Sequence, residues 1–239
     1  MRLDQQLVAL GLAPSRARAQ TMIEAGQIRV DGRVISKAGR KIGSDASVEV
    51  TGQTDPWVSR AALKLLHALG HFGLTPSGAA LDVGASTGGF TQVLLSRGAE
   101  EVFAIDVGHR QMHPEIAEDP RVRRHDGVNA REIEALQIPQ VAWITIDVSF
   151  ISLTKVLPSV LPLAMPGAVL IALIKPQFEV GPGGTVKGIV RDSEKRDAAR
   201  SAVRECIETQ GWVVTGEIES PITGADGNRE FLIAARNRG

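Results

Sequence analysis

Cysteine and tyrosine are nearly missing from this 239-residue chain, which contains one cysteine, Cys206, and no tyrosine. A lone cysteine cannot form an intrachain disulfide, so a small secreted fold held together by disulfides is excluded. The N-terminal residues also lack the continuous apolar run of a signal peptide. Hydrophobic residues still make up 43% of the chain, so we expect a packed core rather than disorder.

An unbroken membrane-spanning segment is also lacking. Residues 156–174 are apolar and long enough to cross a bilayer, but Pro158, Pro162 and the pair Pro166-Gly167 interrupt them. We predict instead an amphipathic helix, a Pro-Gly loop and a buried strand at 168–174. The protein is therefore expected to be soluble and cytoplasmic, without a membrane partner.

The chain also has no net charge, since 27 basic residues balance 27 acidic ones. The two signs of charge are, however, unevenly distributed along the sequence. Residues 1–44 contain eight Lys and Arg against three carboxylates and carry +5, while the remainder carries −5. A basic segment on an acidic body suggests electrostatic contact with a polyanion, although an ordinary charged surface would give the same count.

The basic segment has the pattern of a small α+β module at residues 1–52. We predict helices at 3–10 and 16–25, a hairpin turning at Asp31-Gly32, and a strand at 47–50. The pattern resembles the RNA-binding module named after ribosomal small-subunit protein four. The expected RNA-binding residues are its basic side chains, namely Arg2, Arg16, Arg18, Arg29, Arg33 and Lys37.

A linker at 53–60 precedes the second domain, residues 61–239, in which strands and helices alternate. Strands are predicted at 79–83, 101–105, 142–146 and 168–174, with a late pair at 212–218 and 230–235. The intervening helices are expected to begin near Gly89, Pro114, Ala130, Leu153 and Ser193. This order predicts an α/β fold with a Rossmann-like parallel sheet and a ligand site at the carboxyl ends of its strands.

A glycine-rich loop follows the first of these strands, where residues 81–90 read LDVGASTGGF. The glycine spacing is not that of dinucleotide binders, and Asp82 suits a cationic sulfonium with a free amino group better than a pyrophosphate. Asp106 ends the next strand, where a carboxylate can bind ribose hydroxyls. We therefore favour S-adenosylmethionine over NAD. The candidate cofactor-binding residues are Asp82, Gly84, Ser86, Thr87, Gly88, Gly89, Phe90, Asp106, Val107, Asp126, Asn129 and Asp147.

The methyl acceptor is narrowed by two motifs that are missing. Methyltransferases acting on exocyclic amines commonly carry a proline-containing loop after the fourth strand, but residues 147–150 read DVSF. Methylation at pyrimidine C5 usually needs a cysteine nucleophile, and Cys206 is better explained as a small core residue on a helix. Oxygen acceptors are left as the natural choice. A hydroxyl acceptor needs a base, and the candidate is Lys175, which follows one strand while Asp147 follows the neighbouring strand. Taken alone, however, a lysine at a strand end more often forms a surface salt bridge.

The chain resembles the TlyA-type hemolysin A proteins, whose catalytic half is similar to FtsJ-type ribose methyltransferases. The resemblance runs through the glycine-rich loop, residues 147–153 (DVSFISL), residues 175–179 (KPQFE) and Glu230-Phe231-Leu232. It implies a catalytic tetrad of Lys64, Asp147, Lys175 and Glu230, with Lys175 as the base. It also implies a cytidine ribose in ribosomal RNA, or in ribosomal subunits, as the substrate.

Two other classes of function stay open from the sequence. The family name keeps a membrane-lysing hemolysin in consideration, and the basic module alone would suit a non-catalytic RNA-binding assembly factor. His109 and His113 have helical spacing but no acidic or thiol ligand at a recognisable distance along the chain, so we predict no metal site. The sequence leaves the oligomeric state open.

Overall fold

The structure, a computed structural model, describes residues 1–13, 16–24, 26–43, 46–51, 56–224 and 226–239. The chain divides into two compact units, Met1–Pro56 and Trp57–Gly239, and the division falls inside the predicted linker. Each unit has its own hydrophobic core.

The first unit packs two helices against a small sheet. Helices α1 (Leu3–Ala9) and α2 (Arg16–Glu24) precede strands β1 (Ile28–Val30), β2 (Arg33–Val34) and β3 (Val48–Val50). The sheet is antiparallel with the order β2-β1-β3. Asp31 and Gly32 both have positive φ, at 49° and 75°, as a two-residue hairpin turn requires. The predicted hairpin is therefore present. Pro14, Ser15 and Ala25 lie outside the described residues.

The second unit alternates strands and helices. Its elements are α3 (Ala61–Phe72), β4 (Gly78–Val83), α4 (Gly89–Arg97), β5 (Ala99–Asp106), α5 (Pro114–Ala117), β6 (Val122–Asp126), β7 (Val141–Ile146), α6 (Leu153–Val160), β8 (Ala164–Ile174), α7 (Pro176–Glu179), α8 (Ser193–Glu208), β9 (Trp212–Glu219) and β10 (Phe231–Asn237). Short 3₁₀ helices at Ala130–Leu136 and Leu161–Leu163 complete it.

Seven strands form one sheet with the order β6-β5-β4-β7-β8-β10-β9. The five strands from β6 to β8 are parallel, and β10 pairs antiparallel with β8 and β9. Residues of α6 and α8 pack on one face of the sheet, and residues of α3, α4 and α5 pack on the other. The sheet is thus buried on both faces, which explains the near-continuous apolar sequence of its central strands.

Two local predictions differ from the structure. The pair Pro166-Gly167 was expected in a loop, but β8 already begins at Ala164 and includes both. The pairing of β8 with β7 shifts register between Val141 and Trp143. Pro166 lies in the exposed start of β8 beside this irregularity, and bulges of this kind are where strands tolerate proline. The helix expected from Ala130 is a 3₁₀ helix with a kink at Glu132.

The topology decides where the functional side chains meet. Strands β4, β5, β7 and β8 are parallel, so the residues that follow them lie at one edge of the sheet. Strand β10 runs the opposite way, so the residue before its start reaches the same edge. The chain order reverses beside β4, which has β5 on one side and β7 on the other, and a crevice at such a point is the usual ligand site. Among the described residues, no helix has the length and apolar character to cross a membrane.

Candidate active site

The glycine-rich loop between β4 and α4 brings backbone very close to backbone. Gly84 has φ of 84°, and a Cβ at this position would collide with the carbonyl oxygen of Asp147. Gly88, the residue just before α4, has φ of 91°, and a Cβ there would lie 3.1 Å from Ile116 Cγ2. Only glycine combines these conformations with this proximity. The loop therefore stays flat against the ends of β4 and β7, and a crevice remains above it.

Asp82 anchors this loop from below. Its side chain is fully buried near the end of β4, where it accepts hydrogen bonds from Thr91 Oγ1 at 2.6 Å and Thr145 Oγ1 at 3.0 Å. Burial raises the pKa of Asp82 to about 6, because desolvation penalises the charged form more than the two hydroxyls relieve it. The carboxylate ties β4 to α4 and β7, and it does not line either cavity described below.

A cavity of about 470 Å³ lies above the ends of β4, β5 and β7. Six candidate cofactor residues line it, namely Gly84, Ser86, Asp106, Val107, Asn129 and Asp147. Thr87, Gly89 and Phe90 line a smaller adjoining cavity of about 270 Å³, together with Gly84, Ser86 and Asp147. Asp82, Gly88 and Asp126 line neither. Nine of the twelve candidate cofactor-binding residues therefore line the crevice, and the other three lie outside its wall.

The larger of these two cavities fits a nucleoside. Its walls include apolar side chains such as Ile105, Val128 and Ile151, which can cover the faces of a base. The Asp106 carboxylate accepts hydrogen bonds from the amides of Ser86 at 2.8 Å and Gly108 at 2.7 Å, which hold it in place. A carboxylate oxygen has further lone pairs, so Asp106 can also accept hydrogen bonds from ribose hydroxyls. The residues present thus fit the nucleoside part of S-adenosylmethionine.

The four tetrad residues meet in two ion pairs beside this crevice. Lys175 Nζ lies 2.7 Å from Asp147 Oδ1 and donates a hydrogen bond to Ser149 Oγ at 2.8 Å. Lys64 Nζ donates to Glu230 Oε2 at 2.5 Å. Both pairs are largely buried, with side-chain exposures of 14% or less. Because Lys64 and Glu230 are 166 residues apart in sequence, only the fold brings them together.

A third cavity of about 570 Å³, called the outer cavity below, has Lys64, Lys175 and Glu230 in its wall. It shares Ser149 and Phe150 with the nucleoside-sized cavity of about 470 Å³, and Lys175 with the small cavity of about 270 Å³. The three cavities are therefore neighbours around the Lys175–Asp147 pair. A nucleoside cofactor on one side and a second polar substrate on the other would meet at this pair.

Ser59 is a site residue to which the sequence analysis assigned no role. Its hydroxyl is buried and has no hydrogen-bond partner among the described residues. It faces Gly89 so closely that a Cβ there would collide with Ser59 Oγ, and both residues line the small cavity. An unpaired buried hydroxyl beside an empty space is costly unless a ligand pairs with it. A serine just before a helix is too common a pattern to have revealed this position.

Phe150 is the second residue that was missed. It has φ of 64°, an uncommon value for a large side chain, and it is 91% exposed. Its ring lies 5.1 Å from that of Phe178, and both line the outer cavity. Its place in the motif DVSF was visible in the sequence, but its exposure was not. Exposed aromatic rings at a nucleic-acid site commonly stack on bases.

Four of the predicted RNA-binding arginines of the first unit have contacts or strand positions that the structure describes. Arg2 and Arg16 both donate to the buried carboxylate of Asp4. These guanidinium contacts hold the pKa of Asp4 well below its ordinary value. In the hairpin, Arg29 pairs opposite Val34 and Arg33 opposite Val30, so the two arginines lie on opposite faces.

The other two predicted RNA-binding residues of the first unit are Lys37, which is exposed, and Arg18, whose side chain lies outside the described residues.

No group of three or more metal-ligating side chains is found in the part of the chain that the structure describes. Cys206 lies on α8 and donates to the Thr154 carbonyl at 3.8 Å, and burial raises the pKa of its thiol. The fold therefore places Cys206 on a covering helix, outside the residues that line the three cavities.

Comparison with known families places the site in a class of enzyme. Residues 57–237 match the FtsJ-like methyltransferase family, and residues 1–48 match the S4 domain. The first match covers more than half of the chain, so this protein belongs to the FtsJ-like methyltransferase family. The predicted α/β methyltransferase fold and the family resemblance are thereby confirmed.

Full-length relatives narrow the class further. The chain is 40% identical to a Mycobacterium tuberculosis protein named 16S/23S rRNA (cytidine-2′-O)-methyltransferase TlyA, across 99% of this chain and 90% of that protein. It is 39% identical to a Brachyspira hyodysenteriae protein named Hemolysin A, across 97% and 98% of the two chains. A solved Streptococcus thermophilus structure named as a hemolysin superposes with a TM-score of 0.77 at 36% identity, covering 99% of this chain and 88% of that one.

Proposed function

We propose that this protein transfers a methyl group from S-adenosylmethionine to a ribose 2′-hydroxyl of ribosomal RNA, with cytidine as the target nucleoside. The observation that carries this proposal is the position of the Lys175–Asp147 pair at the junction of a nucleoside-sized cavity and a second, polar cavity. Membership of the FtsJ-like family and the name of the Mycobacterium tuberculosis relative support the same reaction.

The cofactor would be held by residues already placed around the crevice. Asp106 would accept hydrogen bonds from the ribose hydroxyls, and the apolar walls would cover the adenine. Ser59 and the glycine-rich loop would hold the amino-acid end, since they surround the small cavity next to Lys175. When bound, S-adenosylmethionine supplies the methyl group and leaves as a neutral thioether.

The tetrad would prepare the ribose hydroxyl for attack. Lys175 Nζ, in the neutral amine form that a base requires, would accept the proton of the ribose hydroxyl as the hydroxyl oxygen takes the methyl group that the cofactor would supply. Asp147 and Ser149 keep the Lys175 amine oriented through their contacts at 2.7 and 2.8 Å. The Lys64–Glu230 pair lines the same cavity as Lys175, so the hydroxyl would approach among charges that are already held in place, and little reorganisation is needed.

Phe150 and Phe178 would bind the base of the target nucleoside. Their rings stand at the mouth of the cavity that contains Lys175, and Phe150 is almost fully exposed. Stacking on such a pair would hold the base of a nucleotide that has left its own stack.

The S4-type unit would supply RNA affinity rather than chemistry. Arg29, Arg33 and Lys37 are exposed and available to phosphates, whereas Arg2 and Arg16 are already engaged by Asp4. We include Arg18 among the proposed contacts on its charge and position in the sequence alone. A ribosomal RNA substrate also implies that the protein acts in the cytoplasm.

The proposal is tested by mapping where the methyl group arrives. Purified protein is incubated with labelled S-adenosylmethionine and unmodified small subunits, large subunits or naked ribosomal RNA, and the product is digested to nucleosides. We expect label on 2′-O-methylcytidine. Label on a base would contradict the proposed acceptor. No label on any substrate, together with tight RNA binding, would favour the non-catalytic alternative, and leakage of liposomes would favour the lytic one.

A further inference from the structure

A two-residue hairpin forms part of the wall of the outer cavity, and no role has been given to it above. Val186 and Ile189 pair through two backbone hydrogen bonds, of 2.9 and 3.1 Å, and Lys187 and Gly188 form the turn. Both turn residues have positive φ, 51° and 78°, as tight hairpin turns require. The turn is therefore a defined structure, and its strained lysine is held where a glycine or asparagine would be easier to accommodate.

Asn228 fixes this hairpin to the loop that carries Glu230. Its side chain is 1% exposed and uses both of its polar atoms, accepting from the amide of Val190 at 3.0 Å and donating to the carbonyl of Gly188 at 2.8 Å. Its own carbonyl accepts from the amide of Gly224 at 2.9 Å. On the other side, Arg196 of α8 donates to the Val190 carbonyl at 2.9 Å. The hairpin is thus fixed relative to the tetrad.

The tip of the hairpin carries an exposed cation next to residues that line the outer cavity. Thr185 and Gly188 line that cavity, Lys187 between them is exposed, and Val186 is 58% exposed. Lys187 forms no ion pair with any residue that the structure describes. The cavity wall itself has a positive balance, with Arg60, Lys64 and Lys175 against Asp226 and Glu230.

We propose that the Lys187 hairpin is an RNA-binding element of the catalytic unit, in which the Lys187 ammonium contacts a backbone phosphate next to the target nucleotide. This inference rests on the proposed function and adds a substrate contact outside the S4-type unit. A rigid turn costs little entropy when it binds, so one charge on it can position the strand as well as attract it. Asn228 is the positioning residue, because it sets the distance from this charge to the tetrad.

The test compares three substitutions at Lys187 with a matched charge reversal elsewhere. Lys187→Gln, Lys187→Glu and Lys187→Arg are made beside Arg97→Glu. Arg97 is also exposed, but it ends α4 at the opposite edge of the sheet, where β5 begins. Initial methyl-transfer rates are measured against subunit concentration at saturating S-adenosylmethionine, and binding to naked ribosomal RNA is measured at several salt concentrations.

Loss of one phosphate contact should raise KM for RNA by about 5- to 10-fold in Lys187→Gln, and more in Lys187→Glu, with kcat and cofactor affinity within about twofold. The slope of log affinity against log salt should fall by roughly 0.7 to 0.9. Lys187→Arg should behave like the parent chain. Equal KM and equal salt slope for Lys187→Glu and Arg97→Glu would overturn the inference. A parent chain that binds RNA but transfers no methyl would refute the proposed function instead, and the salt slopes would still decide the role of Lys187.

Discussion

Removing one member of the Lys64–Glu230 pair should destabilise the catalytic unit far more than removing both. The side chains of Lys64 and Glu230 are 11% and 3% exposed, so either one left alone keeps a charge in a poorly solvated place. Breaking a buried pair costs about 3–5 kcal/mol, whereas replacing both charges is often neutral. Glu230 is the more deeply buried, so Lys64→Met should lie at the upper end of this range and Glu230→Gln at the lower end. The double variant should recover most of the loss, giving a coupling energy of at least about 2 kcal/mol.

The assay is urea unfolding followed by tryptophan fluorescence. All three tryptophans, Trp57, Trp143 and Trp212, belong to the second unit, so the signal reports on that unit alone. Methyl transfer is measured on the same samples, and the double variant should be stable but inactive. Strictly additive losses in unfolding free energy would refute the reasoning, because they would mean that the two charges do not interact. Full activity in the double variant would show that the Lys64–Glu230 pair takes no part in catalysis.

Three further predictions concern residues around the crevice. Asp82 has a pKa of about 6 against an ordinary 3.8, so the folded state binds more protons than the unfolded state between these values, and the unfolding free energy should fall by about 2 kcal/mol as pH rises from 4 to 6. This slope should flatten in Asp82→Asn, and an unchanged slope would contradict the assignment. Gly84→Ala should cost at least about 1–2 kcal/mol of strain and abolish cofactor binding measured by calorimetry, because its Cβ meets the Asp147 backbone; normal affinity would show that the loop can move. Phe150→Ala should raise KM for RNA by about tenfold, because stacking on the base is lost. Since Phe150 is exposed, the melting temperature of the variant should stay within about 2 °C of that of the parent chain. An effect on kcat alone would argue against base stacking.

The parts of the fold that follow from local pattern were predictable. The strand, glycine-rich loop and helix at β4 and α4 are encoded by apolar runs and by glycines with required conformations, and they form as expected. The positions of Asp106 and Asp147 follow from the same logic, because Asp106 ends the parallel strand β5 and Asp147 directly follows the parallel strand β7. Pattern reasoning could therefore locate the cofactor crevice before any coordinates.

Contacts between distant segments were not predictable from pattern alone. Lys64 lies on α3, for which no helix was predicted. Its place in one tetrad with Glu230 was implied only by the family resemblance, and its ion pair with Glu230 was not predicted. The depth of Asp82 was also missed, because a carboxylate near a ligand loop looks the same in sequence whether it binds the ligand or supports the loop. Burial decides between the two, and it depends on Thr91 and Thr145, which lie on other elements.

Methyl transfer by a Lys175 variant tests the central claim most directly. Lys175→Ala is compared with the parent chain and with Lys155→Ala, which removes an exposed lysine of α6 outside the three cavities. Cofactor affinity and RNA affinity are measured on the same samples to show that both sites are intact. The account predicts that Lys155→Ala transfers label to the ribose 2′-oxygen like the parent, while Lys175→Ala binds both substrates and transfers almost none. Transfer at the parental rate by Lys175→Ala would contradict the assignment of Lys175 as the base and, with it, the proposed chemistry of the site.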